Sequence, residues 1–287
     1  MKSYILENKT EIPAIGFGCY NIKGGDNYAI FSDAIRSGYR LFDTASVYKT
    51  EEDLGRAIKD STIARKEFVI QSKLWVDEMG YDGAVKALNA SMKRLGTDYI
   101  DIYMIHWPKR SRNLKDAEWK AELILTYKAL EDMQRAGKIG AIGVSNFLPH
   151  HLDVILNKCD ILPVVNQLEV HIGHSQARAV DYSMKNNIRV EAWSPLGREK
   201  ILNSVVVKDM ALKYGVSPAV IALGYLVKSG IIPLPKASSP ERQTDNLFAA
   251  DFEMSTEDFY ILDSMPQIYW QGEHPDFAVP GEENALL

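Results

Sequence analysis

Short runs rich in β-branched and aromatic residues alternate along the chain with longer stretches whose apolar residues recur at helical spacing. The strand-like runs are Ala14–Cys19, Arg40–Ala45, Phe68–Leu74, Tyr99–His106, Ile139–Ser145, Val164–Val170, Arg189–Ser194 and Ile231–Lys236. Helical spacing covers Asn27–Ser37, Glu51–Lys59, Asp82–Leu95, Glu118–Arg135, Pro149–Asn157 and Gln176–Asn187, a pair across Ser204–Lys228, and then Pro240–Ala249 and Ser255–Met265. Punctuation agrees: Ser255 sits three positions before an acid, as an N-cap should, and Gly38, Gly96 and Gly137 follow helical runs where a left-handed cap is wanted. Ile139–Val144 and Val190–Trp193 read as apolar throughout, which predicts strands covered on both faces in a parallel sheet. Eight such units leave a closed (β/α)8 TIM barrel or an open doubly wound sheet. No Pro/Gly/Ser-rich linker or composition break divides the chain, so one domain over residues 1–287 is the simpler reading. Leu6 and Ile12, with polar residues between them, predict a small N-terminal hairpin at the barrel's bottom, and the helical runs leave two extra helices.

Charge narrows the partners. The chain carries 33 Lys+Arg against 38 Asp+Glu, a formal charge of −5, too acidic overall for a main business with nucleic acid or an anionic membrane. Cys19 and Cys159 form no CxxC pair, so neither a disulfide framework nor a thiolate zinc site is encoded, and a reducing cytoplasm is the natural setting. The start, Met1–Asn8, breaks its apolar run with a charge before a signal-peptide core forms. The uncharged stretch Tyr214–Val227 is shorter than the roughly 20 apolar residues of a membrane span. The expectation is a cytoplasmic monomer acting on a small molecule, with no nucleic acid, membrane or metal.

Candidate chemistry collects at the strand ends. Asp43, Lys73, His106, Ser145 and Asn146, Gln167 and Glu169, Trp193 and Ser194, then Lys236 close successive runs, and in a barrel those ends converge on one mouth. Singly each has a plain explanation: Asp43 as a turn former, His106 as a hydrogen-bonded structural residue, Tyr48 as a surface tyrosine. Lys73 differs, because its apolar neighbours demand a counter-charge if it is buried, and Asp43 is the candidate. Suppose Tyr48, Lys73, Asp43 and His106 share a pocket. A phenol is a poor acid at neutral pH, and lowering its pKa by about two units takes about 2.7 kcal/mol. An ammonium about 4 Å away, at an effective dielectric near 20, supplies roughly 4 kcal/mol, which Asp43 partly cancels. Such a tyrosine can protonate a carbonyl oxygen while His106 donates a second hydrogen bond or orients the substrate. The carbonyl carbon then needs a nucleophile: either Lys73, in a Schiff-base aldolase, or a delivered hydride.

A dinucleotide would need an unusual seat. Gly16–Asn21 lacks the third glycine of a Rossmann fingerprint, and no GxxxxGK[ST] run exists. Lys236–Asn246 gathers two cations and several hydroxyls at a helix start after the last strand, which reads as a phosphate site or as a solvated helix end. Trp193 offers a flat face to a nicotinamide ring, or packs.

Ser37–Tyr48 with Glu51, Leu54 and Gly55, Asp101–Pro108, Gly143–Phe147 and Ile232–Arg242 resemble the signatures of the aldo-keto reductase family. The resemblance spans essentially the whole chain and is strongest to the bacterial branch of 2,5-diketo-gluconate and methylglyoxal reductases. It implies a (β/α)8 barrel, NADPH bound extended without a Rossmann fold, and reduction of aldehydes and ketones to alcohols by hydride transfer. Carried over by position, the resemblance implies a tetrad in which Tyr48 is the general acid, Lys73 and Asp43 tune it, and His106 orients the carbonyl. Ser145, Asn146 and Gln167 would hold the carboxamide, and Trp193 would stack on the nicotinamide where many relatives have tyrosine. Ser194, Leu196 and Gly197 would line the pyrophosphate path, Lys236, Ser238 and Arg242 would hold the 2′-phosphate, and Asp245 and Asn246 would lie near adenine. Ala237 and Asp245 stand where many relatives carry serine and glutamate. Tyr20, Trp75, Trp107 and the tail segment Tyr269–Trp270 would wall an aromatic substrate pocket. The family also includes a cofactor-sensing binding branch, against which intact Tyr48 and Lys73 speak.

Overall fold

Strands that are apolar on both faces must be covered by helices outside and by one another inside, and the chain meets both demands by rolling its sheet up. The computed structural model describes residues 2–22, 25–267 and 274–277. A hairpin comes first, β1 (Ser3–Ile5) against β2 (Glu11–Pro13) with Tyr4 opposite Ile12. Eight parallel strands follow: β3 (Phe17–Gly18), β4 (Leu41–Asp43), β5 (Val69–Leu74), β6 (Ile100–Ile105), β7 (Ile139–Ser145), β8 (Val165–Glu169), β9 (Arg189–Trp193) and β10 (Ile232–Pro233), each bonded to its neighbour in chain order. The ring closes where the Gly16 and Gly18 N–H groups donate to the Pro233 and Pro235 carbonyls, both at 3.0 Å.

The helices on the outside are α1 (Asn27–Ser37), α2 (Glu51–Asp60), α3 (Tyr81–Leu95), α4 (Asp116–Arg135), α5 (Pro149–Lys158), α6 (Ala177–Lys185), α7 (Val205–Tyr214), α8 (Pro218–Lys228), α9 (Pro240–Phe248) and α10 (Thr256–Asp263). Gly38, Gly96 and Gly137 take left-handed φ values of 112, 64 and 73° at helix ends, and Ser255 accepts the Asp258 N–H as the α10 cap. Two helices fall between β9 and β10 and two after β10, which accounts for the two extra helices. No single helix among the described residues is long and apolar enough to cross a membrane, and the apolar α7 and α8 meet at 92°.

Aromatic residues fill the space between sheet and helices, among them Phe17, Phe31, Tyr39, Phe42, Phe68 and Phe147. Inside the barrel, Leu6 and Ile12 of the hairpin pack with Leu41, Val165 and Ile232 at the strand starts, so the hairpin plugs the bottom. The C-terminal ends of the parallel strands lie at the other end. Two sequence expectations change. The ladders of β3 and β10 are shorter than the runs Ala14–Cys19 and Ile231–Lys236, because Pro233 and Pro235 have no N–H and the seam can run only from glycine amides to proline carbonyls. And Val190–Trp193 is not apolar throughout: Glu191 is fully buried inside the barrel, bonded to Gln71 and Gln167.

Glycine is required at the seam. A Cβ on Gly18 would lie 2.7 Å from the Leu234 carbonyl oxygen, a backbone atom that cannot move aside without opening the joint. Gly18→Ala is expected to cost about 1–3 kcal/mol and to lower Tm by several degrees in a thermal melt; an unchanged Tm would mean that the seam does not hold the barrel shut.

Candidate active site

Residues two apart on a strand share a face, so the inward positions of β4, β5, β8 and β9 put Asp43, Gln71, Lys73, Gln167 and Glu191 together inside the barrel. Lys73 is fully buried. Its Nζ donates to both Asp43 oxygens at 2.7 Å, to the Thr44 carbonyl at 3.1 Å and to Tyr48 Oη at 3.5 Å. Gln167 Nε2 donates to Asp43 Oδ1 at 2.9 Å and to Glu191 Oε2 at 3.0 Å, which uses both hydrogens of its amide. Gln71 Nε2 donates to the other Glu191 oxygen. Burial, with the Asp43 carboxylate behind it, raises the Glu191 carboxyl to a pKa of about 7.

Tyr48 rides on a short 3-10 turn, Ser46–Tyr48, immediately after β4. The turn is fixed by the Thr44 and Thr50 hydroxyls, 2.8 Å apart, and by Ser46 Oγ donating to Glu78 at 2.9 Å. Glu78 also accepts the Trp75 N–H at 2.6 Å, so one carboxylate ties the Tyr48 turn to the loop after β5. Tyr48 Oη lies 3.3 Å from His106 Nε2. The Tyr20 ring stands 4.9 Å from that of Tyr48, and the Trp75 ring 4.9 Å from that of His106. Trp107 is half-buried next to His106 in sequence, while Tyr269 and Trp270 lie outside the described residues. Burial first, and the Lys73 ammonium second, push the His106 pKa well below the ordinary histidine value. The ring is therefore neutral near pH 7. Its buried Nδ1 has no partner among the described residues, and an N–H there would be stranded, so the proton belongs on Nε2, facing Tyr48.

A second group lines the same mouth. Asn146 sits at φ 64°, and its amide donates to the His106 carbonyl at 3.0 Å and Ser145 Oγ at 3.2 Å while accepting Trp193 Nε1 at 2.9 Å. Ser145 Oγ in turn donates to the Gln167 carbonyl at 3.1 Å. These bonds fix the half-buried Trp193 at the end of β9. Beyond it Ser194 and Gly197 turn the chain with φ of 47 and 53°, with half-buried Leu196 between them. Lys236, Ser238 and Arg242 are all exposed around the start of α9, whose cap, Ser239 Oγ, accepts the Arg242 N–H at 3.4 Å. Lys236 Nζ also reaches the Asn21 carbonyl at 2.7 Å. Asp245 accepts Ser217 Oγ at 2.5 Å, and Asn246 is buried.

Two residues of the network, Gln71 and Glu191, went unread in the sequence. The available signal was a charge at the inward position two before Trp193. Gln243 went unread as well: fully buried, its Nε2 donates to the Ile30 and Ala237 carbonyls at 3.2 Å and pins α9 to α1 and to the segment after β10. One further cluster of ligand-type side chains occurs among the described residues, at His150, His151 and Asp276. Asp276 Oδ1 already lies 2.5 Å from Lys109 Nζ, 3.1 Å from His150 and 3.0 Å from His151. His151 Nδ1 accepts the Leu148 N–H, so its Nε2 carries the proton, and the lysine ammonium stands where a cation would. That chemistry describes a clamp on residues 274–277.

The sequence profile of the aldo/keto reductase family matches residues 14–206 and 204–266. A glyoxal reductase of Bacillus subtilis (strain 168) is 38% identical over 272 residues, covering 94% of this chain and 95% of its own. The crystal structure of an aldo-keto reductase from a Medee basin deep-sea metagenome library superposes with a TM-score of 0.86 at 37% identity, covering 94% of this chain and 97% of that one. Another aldo-keto reductase, solved as a complex with NADPH, gives a TM-score of 0.86 at 31% identity, covering 98% and 95%.

The electrostatics of His106 carry a check. Its imidazole signals, assigned with a His106→Gln variant, are expected to show no protonation as pH falls through the ordinary value near 6.5. Because the folded state refuses that proton and the unfolded state takes it, stability should decline as pH drops below that value. A titration near 6.5 in the NMR spectrum would place His106 in water and away from Lys73.

Proposed function

The chain belongs to the aldo/keto reductase family, and from that premise we propose that this oxidoreductase converts aldehydes and ketones to alcohols with NADPH, Tyr48 giving the proton. The observation that carries the reading is one oxygen with two neighbours: Tyr48 Oη stands 3.5 Å from a buried ammonium and 3.3 Å from a neutral imidazole. A proton leaving Tyr48 leaves a negative oxygen facing Lys73 Nζ, so the ammonium favours the donating step. His106, with its proton on Nε2, donates a hydrogen bond to the substrate oxygen and sets the face from which it is approached. Asp43 holds Lys73 in place.

The residues around the mouth fit a pyridine dinucleotide. Trp193 is half-buried at the end of β9, Ser145, Asn146 and Gln167 place polar groups at neighbouring strand ends, and Lys236 and Arg242 bring two cations to the start of α9. A solved relative holds NADPH. When bound, NADPH supplies the hydride that goes to the carbonyl carbon. Ser194, Leu196 and Gly197 would flank its pyrophosphate, Lys236, Ser238 and Arg242 its 2′-phosphate, and Asp245 and Asn246 its adenine. With both Gln167 hydrogens spent on carboxylates, its Oε1 is the atom left to meet a carboxamide N–H. The substrate would be walled by Tyr20, Trp75 and Trp107. A Schiff-base aldolase is disfavoured by the same geometry, since Lys73 is fully buried and spends its hydrogens on Asp43, Thr44 and Tyr48.

Tyr48→Phe is expected to lower kcat for carbonyl reduction by about 10²–10⁴ while NADPH titration by fluorescence still shows near-normal binding; wild-type turnover would remove Tyr48 from the donor role. Replacing Lys236 and Arg242 together with Ala should narrow the ratio of NADPH to NADH affinity by about tenfold or more. An unchanged ratio would move the 2′-phosphate elsewhere.

A further inference from the structure

Beneath the four residues of the proposed chemistry lies an acid that it does not use. Glu191 is fully buried, on the barrel's inner face two positions before Trp193. The charged groups that face it are Asp43 from β4 and Lys73 from β5; β8 offers the Gln167 amide, and β10 places Ile232 alongside. Arg189, two positions earlier on β9, points away, donating to the Gly230 carbonyl and lying over the Tyr4 ring. Among the described residues Lys73 is the cation within reach, and both Asp43 oxygens already claim it. A second carboxylate there would share one ammonium with a first, joined to it through the same Gln167 NH2 group.

A second observation concerns Gln71. Its Nε2 faces Glu191, while its Oε1 is buried with no partner among the described residues. Amide nitrogen and oxygen are interchangeable by a half-turn about the last side-chain bond. Turned over, Gln71 presents Oε1 as the acceptor for a carboxyl O–H of Glu191, while its NH2 moves to the place the unpartnered oxygen held. A proton on Glu191 thus removes an unpaired buried charge and finds its acceptor in Gln71.

Resting on the reductase reading above, we propose that Glu191 is a positioning residue: held as the neutral acid between Gln71 and Gln167, it locks the Gln167 amide and leaves Asp43 as the anion answering Lys73. Losing its proton adds a negative charge one amide away from Asp43. That charge draws on Lys73, weakens the ammonium's support for a negative Tyr48 oxygen and makes Tyr48 a poorer proton donor. Reduction should therefore slow as Glu191 ionises, and ionisation centred on a pKa of about 7 puts the change within the working range of such an enzyme.

Glu191→Gln tests this, because a carboxamide reproduces the shape and the hydrogen-bonding sense of the neutral acid without being able to ionise. With glyoxal and saturating NADPH, kcat of the wild type should fall several-fold more than that of the variant between about pH 6 and about pH 8.5, and the variant's high-pH limb should move up by about one unit. Independently of turnover, the infrared difference spectrum of wild type minus variant should contain the carbonyl stretch of a protonated carboxylic acid at about pH 6, fading at about pH 8.5. Superimposable pH profiles, or no such band at the lower pH, would overturn the proposal. A wild type that shows the band yet reduces no carbonyl compound would instead sink the reductase reading and leave the protonation of Glu191 standing.

Discussion

The site depends on an ammonium buried at the centre of a barrel. Taking a lysine out of water costs several kcal/mol even after relaxation, and only close, well-aligned partners repay it. Asp43 supplies two contacts of 2.7 Å and the Thr44 carbonyl a third. Asp43 is steadied in turn by Gln167, and Gln167 by Glu191. Such a network specifies rather than merely stabilises: each strand must bring its residue to the right layer, and a slip of one position on any of them would turn its polar group out among the helices. The pairing that keeps this charge beside Tyr48 also helps hold the strands in register.

Around that centre the fold supplies direction. The hairpin plugs one end with Leu6 and Ile12, and the polar groups gather at the other ends of the strands. Individual side chains hold the loops there. Glu78 joins the Tyr48 turn to Trp75, Asn146 joins His106 to Trp193, and Gln243 fastens α9. Tyr48 and Trp193 are thereby linked through His106 and Asn146 although they leave different strands.

Much of this was legible in the sequence. The eight strand runs and the helices between them follow from periodicity, and Ile139–Ser145 and Asn27–Ser37 match their observed bounds. Asp43, Lys73, His106 and Tyr48 do meet, because strand ends in a closed barrel have nowhere else to converge. Glu191 was missed since three apolar neighbours mask one charge in a short window, and its meaning lies in partners 120 and 24 positions away. The short β3 and β10 ladders escaped for a related reason: the shortage of donors is visible in Pro233 and Pro235, but where those prolines lie against Gly16 and Gly18 is a property of closure.

That closure gives the cylinder a weak line. Elsewhere each strand both gives and takes amide hydrogens, whereas at the seam the prolines only take, from two glycines. Local opening begins where the fewest bonds must break, so the first and last staves of the barrel are the ones that part most easily. Lys236, directly after Pro235, reaches across to the Asn21 carbonyl beyond β3, and α9 follows. That one side-chain bond crosses the joint outside the two backbone pairs, so the loop after β3 and the approach to α9 are tied to each other where the ring is least bonded, and the integrity of the whole cylinder leans on a single exposed lysine.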